Sequence, residues 1–218
     1  MRRLWLVAVM CSTVLLPAGT AHASPAGRVV AWGCQGIGSW GQCNVPAGLS
    51  AVTAVAAGQY HSLALKRDST VVAWGCGANT PGQCSVPSGL SGVTAIAAGT
   101  DQSLALLGNG VVIAWGCQDE SNNHGQCSVP NGLSGVTAIA AGGAHSLALR
   151  SDGAVVAWGC GGFTNYGQCS VPGGLSGVTA SPPATFTLSP SGATARSWLG
   201  AAPWTTSASA ASRAASPA

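Results

Sequence analysis

The chain has 218 residues, of which only 6% are charged and 32 are glycine, and its formal net charge is +3. That excess sits near the two ends, at Arg2, Arg3, Arg196 and Arg213. Residues 24–180 set Arg28, Lys66, Arg67 and Arg150 against Asp68, Asp101, Asp119, Glu120 and Asp152, a net charge of −1. A segment without a basic surface cannot track phosphates, which argues against a nucleic-acid partner.

Met1 to Ala23 reads as a secretory signal peptide. Arg2 and Arg3 form its basic start, Leu4 to Leu16 its apolar stretch, and Ala21-His22-Ala23 a small-x-small cleavage site. The apolar run is short for a bilayer span, and no second long one follows. The expectation is export, cleavage near Ala23, and a secreted or cell-envelope protein with no membrane insertion.

From Arg28 onward one unit recurs. Trp32, Trp74, Trp115 and Trp158 lie 42, 41 and 43 residues apart, and a fixed period of this size means a propeller, a solenoid or an array. The cleanest copy runs from Val136 to Gly177, earlier ones begin at Val52 and Val93, and a partial one opens at Arg28. Each copy offers four strand candidates, in the cleanest case Val136–Ala141, Ser146–Leu149, Val155–Trp158 and Gln168–Val171. Ser151-Asp152-Gly153 forms a hairpin turn, and Pro172 stops the last strand. The runs are apolar on both faces, as stacked sheets require. Four short strands in about forty residues make a propeller blade, so the predicted fold is an all-β propeller of four-stranded blades.

Cys11 falls in the signal. The other eight cysteines form one pair per unit, separated by 8 to 10 residues: Cys34 with Cys43, Cys76 with Cys84, Cys117 with Cys127, and Cys160 with Cys169. Zinc would call for a CxxC spacing that is absent, and an exported protein meets oxidising conditions, so the pairs are predicted disulfides. On the chain-entropy argument, closing loops this short stabilises by roughly 2.5–3 kcal/mol each.

Gly-x-x-His-Ser-Leu-Ala-Leu-x-x-Asp-Gly, Val-Val-Ala-Trp-Gly and Gly-Gln recur in that order through residues 28–180. The pattern resembles the regulator of chromosome condensation repeat, whose known members are seven-bladed propellers. By that resemblance the chain holds, in frame, about three and a half blades of a seven-bladed parent. Val-Pro-x-Gly-Leu-Ser-Gly-Val-Thr-Ala-Ile-Ala-Ala-Gly resembles secreted bacterial members, one of which inhibits serine β-lactamases through loops on one propeller face. The paired cysteines depart from the usual pattern, as does Gln102, which stands where other copies have His61 and His145.

A position that accepts His or Gln is suited to bonding backbone groups rather than moving protons. No nucleophile or carboxylate recurs beside it, and His124 is a lone loop histidine, so no catalytic residue, metal site or cofactor is assigned. Ser151–Gly153, Asp68-Ser69 and Asn109-Gly110 read as hairpin turns rather than calcium loops or sialidase-type Asp boxes. The repeated Trp-Gly reads as core packing or disulfide cover rather than a sugar platform. Positions that differ between copies gather before the second strand and between the paired cysteines. Trp40, Tyr60, Asp101, Phe163 and Tyr166 form the candidate binding face there. The expected function is a secreted, non-catalytic module that binds an extracellular protein through one loop face. Inhibition of a serine β-lactamase or cell-wall enzyme is the narrower reading, and an extracellular lyase or glycosidase is the rival of another class. The guanine-nucleotide exchange of the family's nuclear founder does not suit an exported protein.

After Ala180 the unit breaks: Ser181-Pro182-Pro183-Ala184 stands where Ile-Ala-Ala-Gly is due. ATC-GCC-GCC-GGC short of its first base reads TCG-CCG-CCG-GCx, which is Ser-Pro-Pro-Ala. In the same way Thr194 to Ala202 corresponds to Asp-Gly-Thr-Val-Val-Ala-Trp-Gly-Cys, and Ala208 to Ala218 to Gly-Gln-Cys-Ser-Val-Pro-Ser-Gly-Leu-Ser-Gly. A following Val-Thr written GTG-ACx supplies the stop. Residues 181–218 are therefore expected to be a disordered, out-of-frame reading of a fifth repeat. The blade edges left open are expected to favour self-association.

Overall fold

From Arg28 onward the strand segments are only four to six residues long and rich in valine, leucine and alanine. Runs so short cannot nucleate a helix and suit a pleated, half-buried surface. The computed structural model describes residues 7–10, 28–34, 40–77, 82–118, 123–161, 167–175 and 177–180, and among these all regular structure is β. The expected cleavage site at Ala23 and the expected out-of-frame segment 181–218 lie outside the described residues. The strands are β1 (Val7–Met10), β2 (Val29–Trp32), β3 (Val52–Ala57), β4 (Ser62–Lys66), β5 (Val71–Trp74), β6 (Val93–Ala98), β7 (Ser103–Leu107), β8 (Val112–Trp115), β9 (Val136–Ala141), β10 (Ser146–Arg150) and β11 (Val155–Trp158).

Three antiparallel sheets follow the repeat, in orders β3-β4-β5, β6-β7-β8 and β9-β10-β11. In each, a leucine of the middle strand lies between two alanines: Leu63 between Ala56 and Ala73, Leu104 between Ala97 and Ala114, Leu147 between Ala140 and Ala157. Register is irregular at the Thr53, Thr94 and Thr137 step of the first strand. Their hydroxyls donate to the carbonyls of Leu65, Leu106 and Leu149 at 3.1–3.2 Å. The expected hairpin turns are present. Asp68, Asn109 and Asp152 each accept a backbone N–H two residues on, at 3.0–3.1 Å, and Ser69, Gly110 and Gly153 hold positive φ.

Contacts between successive sheets run through their first strands, β3 to β6 and β6 to β9, and from each middle strand to the next first strand. The sheets thus converge along their first strands, as blades do around a propeller axis, and the fold is a partial β-propeller. Leu63, Leu65, Ile96, Ala105 and Trp115 fill the space between the first two complete blades. Leu104, Leu106, Ile139, Ala148 and Trp158 fill the next. Leu63, Leu104 and Ile139 are fully buried, each worth about 1.5–3 kcal/mol of transfer from water.

The fourth strand is not formed. Gln42–Val45, Gln83–Val86, Gln126–Val129 and Gln168–Val171, expected as strands, are tight turns. Cys43, Cys84, Cys127 and Cys169 therefore sit in turns and not, as their segments suggest, inside a fourth strand. The preceding glycines, at 41, 82, 125 and 167, hold φ between +84° and +87°. The N–H three residues on returns to each glycine carbonyl at 2.8–2.9 Å, and the valine N–H bonds the carbonyl of Cys43, Cys84, Cys127 or Cys169. Backbone groups consumed so locally are not offered to a ladder.

The change of backbone leaves the cysteine pairing intact. Cys34 meets Cys43, Cys76 meets Cys84, Cys117 meets Cys127, and Cys160 meets Cys169, with Cα atoms 5.9–6.0 Å apart. That separation fits four disulfides, one per unit, each tying the turn to the strand end before it.

Within the stretch read as the apolar core of the signal, β1 pairs in parallel with β2. No helix among the described residues is long and apolar enough to cross a membrane.

Candidate protein-binding face

The loops are held in place by a lock between successive units. The carbonyl of Gln42 accepts the Trp74 indole N–H at 2.9 Å and the Ser62 hydroxyl at 3.1 Å. Gln83 receives Trp115 and Ser103, and Gln126 receives Trp158 and Ser146, at 2.9–3.0 Å. A tryptophan that is almost wholly buried needs a partner for its N–H, and the turn of the preceding unit supplies it. Close approach of the two backbones depends on glycine. A Cβ on Gly75, Gly116 or Gly159 would overlap the Cα of that glutamine. The Trp-Gly step is therefore core packing, as expected. The role of Gln is hidden from sequence reasoning, because its acceptor is a main-chain atom. The Gly-Gln recurrence is the one available signal.

A second lock uses the His/Gln position. His61 is fully buried with its Nε2 2.9 Å from the Ser103 hydroxyl of the next blade. That hydroxyl donates to Gln83, so the ring Nε2–H is the donor and Nδ1, without a partner, is the bare nitrogen. Burial lowers the His61 pKa to about 4 and lowers that of His145. Gln102 makes the equivalent bridge, donating to the carbonyls of Gly142 at 2.8 Å and His145 at 3.0 Å. Ser103 is not an activated nucleophile: it is sealed and its proton is committed to a carbonyl.

On this scaffold the loops before the second strands and the ends of the third strands lie at one end of each blade. Trp40 is 41% exposed and meets Tyr60 edge-on, ring centroids 6.1 Å apart at 83°. Its ring rests on Gly77, where a Cβ would overlap it. Gln59 donates to the Tyr60 hydroxyl at 2.9 Å. Two residues of the predicted face are thus brought together from different units. Asp101 does not join them. It is only 8% exposed, and its carbonyl oxygen lies 2.6 Å from where a Gly116 Cβ would be, just past the end of β8. Phe163 and Tyr166 lie outside the described residues. Among the described residues no group of three or more His, Cys, Asp and Glu could hold a metal ion.

Residues 52–83 and 136–168 match the family described as the regulator of chromosome condensation (RCC1) repeat. No curated protein matches the chain. Among solved structures it is similar to Prp20p of Saccharomyces cerevisiae, studied for its binding to Gsp1p and histones, at 26% identity and TM-score 0.41 over 50% of this chain and 30% of that one. It is also similar to the receptor kinase CR4 ectodomain of Physcomitrella patens, at 27% and 0.42 over 50% and 29%. A third likeness is to yeast RCC1 (Prp20) bound to Kap60, at 20% and 0.48 over 65% and 45%. The chain spans less than half the length of each.

Proposed function

Because residues 52–83 and 136–168 match the regulator of chromosome condensation repeat, we propose that the chain is an exported, non-catalytic module that binds a protein through the loop face bearing Trp40 and Tyr60. The observation that carries this reading is a large aromatic ring left 41% exposed, yet held in place by Tyr60 and Gly77. An indole fixed in advance loses little freedom on binding, which is the property of an interface anchor. The cysteine pairs suit an oxidising compartment, reached by cleavage of residues 1–23, so the partner is a protein met outside the cytoplasm. A serine β-lactamase or another cell-wall enzyme is the first probe to use.

The test immobilises the oxidised chain and measures binding of a purified serine β-lactamase and of individual cell-envelope proteins, beside Trp40→Ala. The expected loss is about 30-fold in affinity, the effect of removing an anchor worth about 2 kcal/mol. Equal affinity of the variant and the parent for the bound protein would overturn this choice of face.

A further inference from the structure

The outer face of the third complete blade is apolar and already carries the beginning of another. Ala138, Ala140, Leu147 and Leu149 gather there with Val178, buried like Val52, Val93 and Val136, the residues that open the three complete blades. Gly177 enters with φ +66°, as Gly92 does with +68° and Gly135 with +65°. A Cβ on Gly153 would approach the Gly177 nitrogen to 3.1 Å, as one on Gly110 would approach that of Gly135 to 3.3 Å. The chain therefore leaves the third blade along the path by which it left the second.

We propose that this face is the docking surface of a fourth complete blade, and that the blade is encoded by codons 181–218 in a frame displaced by one base. Spacings within the locks carry this. Each acceptor glutamine precedes its serine by 20 residues and its tryptophan by 32, in all three junctions, although the repeat itself varies in length. Counted from Gln168, those spacings require a serine at position 188 and a tryptophan at position 200. The chain has Leu188 and Gly200.

Read one base over, synonymous codons exist that return both required residues. Thr187-Leu188-Ser189-Pro190-Ser191 is what CAC-TCT-CTC-GCC-CTC yields when shifted, and in its own frame that DNA reads His-Ser-Leu-Ala-Leu. The serine falls at 188, beside a histidine at 187, which is 42 residues after His145. The tryptophan falls at 200, the cysteine pair at 202 and 210, and the next Gly-Gln at 208 and 209. The positions demanded by the geometry are positions that a shifted frame with these codons supplies. The restored serine would stand before His145 as Ser103 stands before His61. This inference is independent of whether the loop face binds a protein.

The coding DNA is read first. One base inserted at codon 181 must open a frame with serine at 188 and tryptophan at 200, and a stop or unrelated sequence there overturns the proposal. The frame-restored chain is then compared with the present one by amide hydrogen exchange and by NMR titration of His145. Docking slows exchange in Ser146–Arg150 about tenfold or more and moves the His145 pKa further down. Phenylalanine in place of the restored tryptophan at 200 must reverse part of that protection while leaving Ser62–Lys66 unchanged. A restored chain with unaltered exchange at β10, or one that loses protection in β4 and β7, contradicts docking.

Discussion

His61 makes the array sensitive to acid, and His61→Gln should remove much of that sensitivity. Its ring is fully enclosed, and desolvation lowers its pKa from the ordinary 6.5 to about 4. Above pH 6.5 neither folded nor unfolded chain binds a proton here. Below it the unfolded chain does and the folded chain does not, so stability falls with pH until about 4. The gap amounts to about 3 kcal/mol, most of it lost by pH 4.5. His145, whose pKa is also lowered by burial, contributes in the same direction. Asp68 does not blur this window: the Lys66 ammonium, bonded at 2.7 Å, leads in holding its carboxyl down to about 2. Gln102 shows that the position accepts an amide, which in the variant would reach the carbonyls of Gly99 and Gln102 as Gln102 itself reaches Gly142 and His145. The assay is urea unfolding at pH 7.0 and 4.5. The variant should lie within about 1 kcal/mol of the parent at pH 7.0 and lose about 2.5 kcal/mol less on acidification. An equal loss in both proteins would refute the reasoning.

Other substitutions test the locks. Gly116→Ala should cost at least about 3 kcal/mol in thermal or urea unfolding, because φ is +104° and the new Cβ would meet the Asp101 carbonyl and the Gln83 backbone. Gln42 and Gln126 accept the N–H of Trp40 and His124 at 2.6 Å, whereas the corresponding residue before Gln83 is Pro81, which has no N–H. Both polar side-chain atoms of Gln83 are buried without a partner. Gln83→Met should therefore be neutral or stabilising by up to about 2 kcal/mol, while Gln126→Met should cost about 1 kcal/mol, measured by the same unfolding curves.

What can be read in advance is what is local. Period, hairpin turns and cysteine pairs depend on residues close in the chain, and the structure has them where the pattern places them. The Gln-Cys-Ser-Val segment misleads because its residues suit a strand. The glycine before it takes a positive φ, and the turn consumes the backbone groups that a ladder would use. Cys43, Cys84, Cys127 and Cys169 show both sides of this: their partners follow from spacing, and their backbone does not. Asp101 misleads for another reason: its variation between copies suggests exposure, yet it is only 8% exposed. The glutamine carbonyl is invisible, since a main-chain acceptor has no residue signature. The contact of Trp40 with Tyr60 joins two units, and periodicity places them on one face without showing that they touch.

The loop face and the hairpin ends can be told apart in the native protein, because successive antiparallel connections alternate between the two ends of a blade. Trp40 and Tyr60 lie at the end of the loops before the second strands, and Val111, 39% exposed, lies by the β7–β8 hairpin at the other. Hydroxyl-radical footprinting of the oxidised chain, alone and saturated with a bound protein, reports on both at once. Protection of Trp40 and Tyr60 with Val111 unchanged is the predicted result; protection of Val111 with the aromatic pair still fully reactive would contradict binding through the loop face.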